Sequence, residues 1–452
     1  MRKKRPYGGI QPGIKWGPFT MRVPGVHVGF SWSIAIQGAF LSLATGGALA
    51  PLMMEFFAIP FEVAWSMLAI QLFWVWSQTL LFGDAYTAGW ITPALPLIIV
   101  FLGGFTPGPE AVQAMIAVTL VVSVLFLFFG LTGLGEKFNT IIPTTLKAGI
   151  IMGAAIAAFQ SELDRVQELP FTLISAWIVV LVLMFSIPFS RLPNTKIKVL
   201  MVSNAILAGF IVSAIVGIAS GELAFNIEWG IFVPQIGELL ATTSPWGVGW
   251  PSLSMIIASI PISIMVYVLV FGDLLVADTL LKEANKARKD ETIDVNHTRT
   301  HISLFIRNIG QMFTGGVLIP LHGAMWTGIQ VFVIERYKSS KKAMDSIFTG
   351  TINWYLLALP LVFLTPMIGI MLPLLPVALS LTLLLTGFAC AYVAMGMVTD
   401  NVSRGLALAI GMLTAIQGPA WGIGAGVLLY FILIGKKRIY EPSSEEDEQK
   451  SA

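Results

Sequence analysis

Residues 89–96 read GWITPALP, and residues 316–323 read GVLIPLHG. In each, a proline follows a glycine by four positions, Gly89 to Pro93 and Gly316 to Pro320, and an apolar run follows. Proline cannot donate the helical hydrogen bond and turns the residue before it away from helix. It suits the first helical turn. Both stretches therefore predict an extended strand feeding a half-helix that begins near Pro93 or near Pro320. Extended backbone at membrane depth is tolerated only where it is buried or lines a cavity. Interrupted segments at matching positions of two halves point to a transporter site. Glycine and proline are common in membrane helices generally, so the matched position carries the reading, not the residue types alone.

The surroundings are those of a membrane protein. Of 452 residues, 56% are apolar and 12% are charged, against about 25% charged in soluble chains. A net charge of +2, with no arginine–aromatic interleave, excludes a nucleic-acid binder. The single cysteine, Cys390, excludes a disulfide scaffold. The four histidines offer no close ligand pair on a membrane helix, which argues against zinc or redox chemistry and predicts no cofactor. The start, MRKKRPYGGIQPGIKWGPF, is basic without an apolar core directly behind it, and reads as a retained inner tail.

A membrane helix needs about 20 mostly apolar residues. Such runs lie at 28–50, 60–82, 87–104, 110–131, 143–161, 171–190, 198–219, 250–280, 302–315, 318–335, 347–365, 370–396, 403–416 and 418–435. The fold class expected is all-α integral membrane, with fourteen segments in two inverted repeats of seven and short extended stretches in segments 3 and 10. Runs 302–315 and 403–416 are the shortest and are candidates for half-spans. Fourteen spans place both termini inside and gather the lysines and arginines there, as the positive-inside rule requires. Arg307 falls just inside the ninth run, and only Arg165 falls outside. The domains expected are an inner tail (1–27), a first repeat (28–219), an outer loop (220–248), a second repeat (249–435) and an acidic inner tail (436–452).

Four further stretches give the chain a family likeness. They are GLGEKFNTIIPTTLKAGIIMGAAIA in segment 5, VYVLVFGDLLVADTLLKEANKARK in segment 8, RNIGQMFTGGVLIPLHGAMWTGIQVF around segment 10 and LLPVALSLTLLLTGFACAYVA in segment 12. Taken in order, they resemble the nucleobase–ascorbate transporter family and its relative, the sulfate permease family. The resemblance implies seven-plus-seven inverted repeats with strands and half-helices in segments 3 and 10. It also implies one bundle of segments 1–4 and 8–11, another of 5–7 and 12–14, and a homodimer. The chain departs from the nucleobase pattern at segment 10, where Ala324, Met325 and Trp326 stand in the region of the usual carboxylate. The glutamate–histidine pair of the uracil branch is also absent from segment 8.

Several residues are candidates for the chemistry. A charged aspartate in mid-helix costs about 2.5–3.5 kcal/mol on insertion scales. Asp273 follows eleven uncharged residues and Gly272, and is the candidate for substrate contact and proton coupling. Asp278 lies about 140° further round the helix and is a second coupling candidate. Its alternative is a structural pair with Lys282 at i+4. Tyr86, Trp90 and Thr92 in segment 3, with His322, Trp326 and Thr327 in segment 10, are candidates to stack on and edge-bind a planar solute. His322 is placed at the mouth of the half-helix, with backbone capping as its alternative. Gln37 in segment 1 is a ligand candidate or a helix–helix bond. Asp84 reads as an interfacial residue. The Gly149–Gly153 spacing predicts close helix packing.

The function expected is secondary active transport of a nucleobase-like small molecule coupled to a proton or sodium ion, in an inner or plasma membrane. The alternative is an inorganic or carboxylate anion carrier of the sulfate-permease kind. Half-helix N-termini favour an anion or carbonyl, whereas the apparent lack of a mid-membrane arginine or lysine favours the neutral solute. No cluster of nucleophiles, metal ligands or paired acids suggests an enzyme.

Overall fold

The computed structural model describes residues 5–135, 137, 141–191, 205–316 and 321–435. The acidic tail and Pro320 lie outside the described residues. An N-terminal hairpin of β1 (Ile14–Trp16) and β2 (Phe19–Met21) comes first. All fourteen apolar runs then carry helix. Segment 1 is Trp32–Gly47 with Ala50–Phe57, segment 2 is Phe61–Leu80, segment 4 is Pro109–Thr132, segment 5 is Thr144–Gln160, segment 6 is Pro170–Phe185 and segment 7 is Ala205–Ser220. In the second half, segment 8 is Leu253–Ala287, segment 9 is His297–Phe313, segment 11 is Ile347–Asn353 with Ala358–Leu361, and segment 12 is Thr365–Met371 with Leu375–Gly396. Segment 13 is Asn401–Gln417 and segment 14 is Pro419–Leu433.

Segments 3 and 10 are the interrupted ones. Segment 3 runs from β3 (Gly89–Trp90) through a tight turn (Thr92–Ala94) into a half-helix, Leu95–Leu102. Segment 10 runs from β4 (His322–Gly323) into a helix, Thr327–Ser339. The first half-helix starts where Pro93 predicts it. The second starts at Thr327, seven residues beyond Pro320, because β4 intervenes. β3 and β4 pair antiparallel, Gly89 with Gly323 and Trp90 with His322. Equivalent strands of two oppositely oriented repeats must meet in this way.

Segments 9 and 13 are helices of 17 residues, about 25 Å long, slightly under a hydrocarbon core of roughly 30 Å. Segment 9 is the least apolar of all. Arg299, Ser303, Arg307 and Gln311 recur every fourth residue with Thr300 and Asn308 beside them, and all six are buried. One helix face thus turns its polar groups inward, which is opposite to the usual pattern of a soluble amphipathic helix.

The helices sort into the two groups that the resemblance implies. Segment 4 packs on 8 and 9, segment 2 on 9, segment 10 on 8 and 11, and segment 1 on 11. Segment 5 packs on 12, 13 and 14, and segment 6 on 7 and 12. Gly149 and Gly153 let segments 5 and 13 approach closely, since added Cβ atoms would lie 2.6 Å from Ile410 and 2.8 Å from Thr414. The groups meet where the segment 3 turn touches segments 5 and 12.

The N-terminal stretch is docked rather than trailing. Trp16 Nε1 donates to the Leu81 carbonyl at 2.8 Å and Arg22 N to the Leu80 carbonyl at 2.8 Å. Arg5 donates to Asp290 at 2.9 Å and to the Asp345 carbonyl at 2.8 Å. Asp290 also receives both arms of Arg288, whose hydrogen bonds hold its carboxyl down at about 2. These contacts join the chain start to the connections after segments 2, 8 and 10, which strict alternation places at one end.

Candidate functional site

Two short strands in a membrane domain have few neighbours to satisfy their backbone, and an unsatisfied polar group there is costly. Side-chain amides do that work. Asn308 Nδ2 donates to the His322 carbonyl at 3.1 Å and Asn308 Oδ1 accepts from His322 N at 3.1 Å. Gln330 Oε1 accepts from Thr87 N at 2.5 Å and its Nε2 donates to the Ala85 carbonyl at 3.3 Å. The Tyr355 hydroxyl donates to the Ala88 carbonyl at 2.5 Å. Backbone bonds complete the crossing, Ile91 N to the Leu321 carbonyl and Trp326 N to the Thr87 carbonyl, both at 2.7 Å.

Behind the crossing runs a buried polar chain. Arg299 donates to Asp294 at 2.7 Å and to Asp84 at 2.9 Å. Asp84 accepts from Gln78 Nε2 at 2.7 Å and from the Ser303 hydroxyl at 3.2 Å. Gln78 Oε1 accepts from Arg307 at 2.6 Å, and Arg307 reaches the Trp74 carbonyl at 2.8 Å and the Gly323 carbonyl of β4 at 3.1 Å. Asp84, 1% exposed, is therefore the centre of a network and not an interfacial residue. Arg307, with no exposure, lies against the strands and not near an inner end. That removes the sequence-based objection to an anion.

The expected residues gather in part. Trp90 and His322 face each other across the ladder, and both are buried. His322 sits on β4, five residues before the helix starts, so it is neither at the helix mouth nor a cap. Neither of its ring nitrogens has a partner among the described residues. Trp326 immediately precedes the helix that Thr327 begins. Thr92 opens the segment 3 turn and is half-buried, and Tyr86 is buried just ahead of β3 with its hydroxyl unpartnered among the described residues. Gln37 is half-buried on segment 1, and no hydrogen bond ties it to the crossing among the described residues.

The tryptophans do not form an open stacking slot. Trp90 meets Trp326 edge to face at 6.5 Å, and Trp326 meets Trp354 the same way at 6.1 Å. The three rings thus pack edge to face on one another and not as parallel plates. What the crossing offers is N–H donors without partners among the described residues: Trp90 Nε1, Trp354 Nε1 and Arg307 Nη2, besides the His322 ring. The first turn of the Thr327 helix adds backbone N–H groups that no side chain caps.

The two aspartates of segment 8 differ. Asp273 is half-buried at mid-helix and has no hydrogen bond or ion pair among the described residues. It lies close enough to Cys390 of segment 12 for the two to interact electrostatically, at the seam between the helix groups. Asp278 is paired with Lys282 at 2.7 Å and stands 3.6 Å from His297, which is the structural alternative. Asn308, Gln330, Gln78, Tyr355 and the position of Arg307 escaped the sequence reading. The four-residue recurrence of polar groups in segment 9 was the available signal for two of them.

The transmembrane domain of a cyanobacterium bicarbonate transporter, BicA, superposes on this chain with a TM-score of 0.51. The match covers 86% of this chain and 96% of that one at 14% identity. SLC26A9 superposes with a TM-score of 0.51 at 12% identity, over 89% of this chain and 65% of that chain. The fold is shared with both. No family model matches the chain, and no curated protein matches it in sequence.

Proposed function

We propose that this protein is a secondary active carrier of a small inorganic or carboxylate anion, with the strand crossing as its binding site and Asp273 as its proton-coupling group. The observation that carries the anion reading is the surplus of unpartnered N–H donors around the crossing beside an uncapped helix start. A helix N-terminus in a low-dielectric site favours negative charge. The likeness to a bicarbonate transporter supports the same class. The nucleobase reading loses one support, the absence of a buried arginine, since Arg307 lies fully buried against β4.

Asp273 supports proton coupling because a mid-membrane carboxylate with no partner is costly while charged. A proton removes that cost, and returning it to water on the other side completes a cycle. The position of Asp273 at the seam between helix groups exposes it to whichever side is open. Movement of segments 1–4 and 8–11 against 5–7 and 12–14 is the alternating step. Both termini then face the inside of an inner or plasma membrane. The test is uptake of labelled sulfate and succinate into proteoliposomes with an imposed pH gradient. Anion uptake that follows the gradient, and loses that dependence in Asp273→Asn, is expected. Gradient-independent uptake in both proteins would refute the coupling. Accumulation of labelled uracil or xanthine with no anion uptake would refute the anion.

A further inference from the structure

We infer that Arg307, on segment 9 and on neither half-helix, supplies the fixed positive charge that makes the strand crossing selective for anions. The inference rests on the anion reading and assigns that reading its specificity-determining residue. Arg307 is the only guanidinium among the described residues with no exposure at all. Its three hydrogen bonds all go to neutral oxygens: the Trp74 carbonyl, Gln78 Oε1 and the Gly323 carbonyl. Asp84, the carboxylate in the same network, is engaged by Arg299, Ser303 and Gln78 instead. Gln78 stands between them, accepting from Arg307 on one atom and donating to Asp84 on the other. No carboxylate touches Arg307, and its Nη2 is buried without a partner among the described residues.

A buried guanidinium stays charged and cannot relieve its cost by losing a proton. An uncompensated charge of this kind is expensive unless something of opposite sign completes the site. Arg307 Nη1 donates to the Gly323 carbonyl of β4, and the uncapped Thr327 helix begins four residues after Gly323, so a positive group and a helix N-terminus, both of which favour negative charge, are tied to the same short segment. His322, on the same strand as the Gly323 carbonyl that Arg307 holds, has both ring nitrogens buried without a partner among the described residues. A planar fork suits oxyanions and carboxylates. Gln78, Trp74 and Gly323 act as positioning groups, aiming the fork from behind the strand.

Binding is read by calorimetry on the detergent-purified full chain, with sodium sulfate, bicarbonate and succinate as probes at constant ionic strength. Arg307→Gln is expected to raise the Kd of the probe that binds by about tenfold or more, the loss of one charge-assisted contact. Arg307→Lys, which keeps the charge, is expected to stay within about threefold of wild type while the ranking of probes shifts. Arg288→Gln removes another buried arginine, far from the crossing, and is expected to leave binding unchanged. Unchanged binding in Arg307→Gln, or equal loss in the lysine and glutamine variants, would overturn the inference and leave the anion reading standing. Should the glutamine variant fail to fold, the lysine variant decides: retained binding supports the charge role and lost binding overturns it. No probe binding to wild type would overturn the anion reading itself, and this inference with it.

Discussion

Replacing Asn308 by leucine removes the side chain that stands in for a neighbouring strand. Asn308 makes both bonds to His322, donor to its carbonyl and acceptor from its N–H, each at 3.1 Å. Leucine is of similar size, so the lost packing is small and the lost hydrogen bonding dominates. Two backbone groups are then buried unpaired at about 1–3 kcal/mol each, or about 2–6 kcal/mol in all. Asn308→Asp keeps the acceptor and loses the donor, and is expected to cost about half as much before any charge effect. Gln330→Leu strips Thr87 N and the Ala85 carbonyl in the same way on the other strand. Because both amides hold one two-stranded unit, the double variant is expected to lose less than the sum of the singles. Thermal unfolding in detergent reads the total loss. Hydrogen exchange at residues 85–91 and 321–326 reads its location. If both leucine variants unfold within about 1 °C of wild type, with unchanged exchange at His322 and Thr87, the strands are held by something other than these amides.

Other consequences follow from the packing and the inner end. Gly38→Ala places a Cβ 2.0 Å from the Trp354 carbonyl oxygen; segments 1 and 11 must separate, and the yield of folded protein should fall sharply against a Gly405→Ala control, where nothing lies within reach. Asp290 has its carboxyl depressed from 3.8 to about 2, first by hydrogen bonding from Arg288. A depressed value stabilises the folded, charged form above the unfolded value and loses that contribution as pH falls through the folded one. The contribution of the Arg288–Asp290 pair to thermal stability should therefore hold from pH 8 down to about 4 and fall only between about 4 and 2, whereas Asp290→Asn should lose it at neutral pH.

Much of the fold is legible in the sequence because apolar run length and charge placement are direct consequences of the bilayer. The glycine–proline echo located β3, and its half-helix begins where Pro93 requires. The echo misplaced the second half-helix, because β4 (His322–Gly323) comes before the helix start at Thr327; the strand became visible only through its pairing with Gly89 and Trp90. In segment 8 the helical angle separated Asp273 from Asp278, and the i+4 spacing offered the Asp278–Lys282 pair that the structure holds. Arg307 was misread because the apolar run starts at 302 whereas the helix starts at His297, which sets Arg307 past the middle of the helix and not near its inner end. The sequence named Trp90 and Trp326 but not their edge-to-face packing, because composition shows which aromatics are present and not how their rings are set. Asn308 and Gln330 looked like ordinary polar residues, since the backbone groups they satisfy are distant in sequence.

Calorimetric titration of the detergent-purified protein with sulfate, bicarbonate, uracil and xanthine at matched pH tests the anion site most directly. Saturable binding of at least one anion, with no heat from either base, is expected of a donor-lined crossing backed by Arg307. Saturable binding of uracil or xanthine, with neither anion bound, would contradict it.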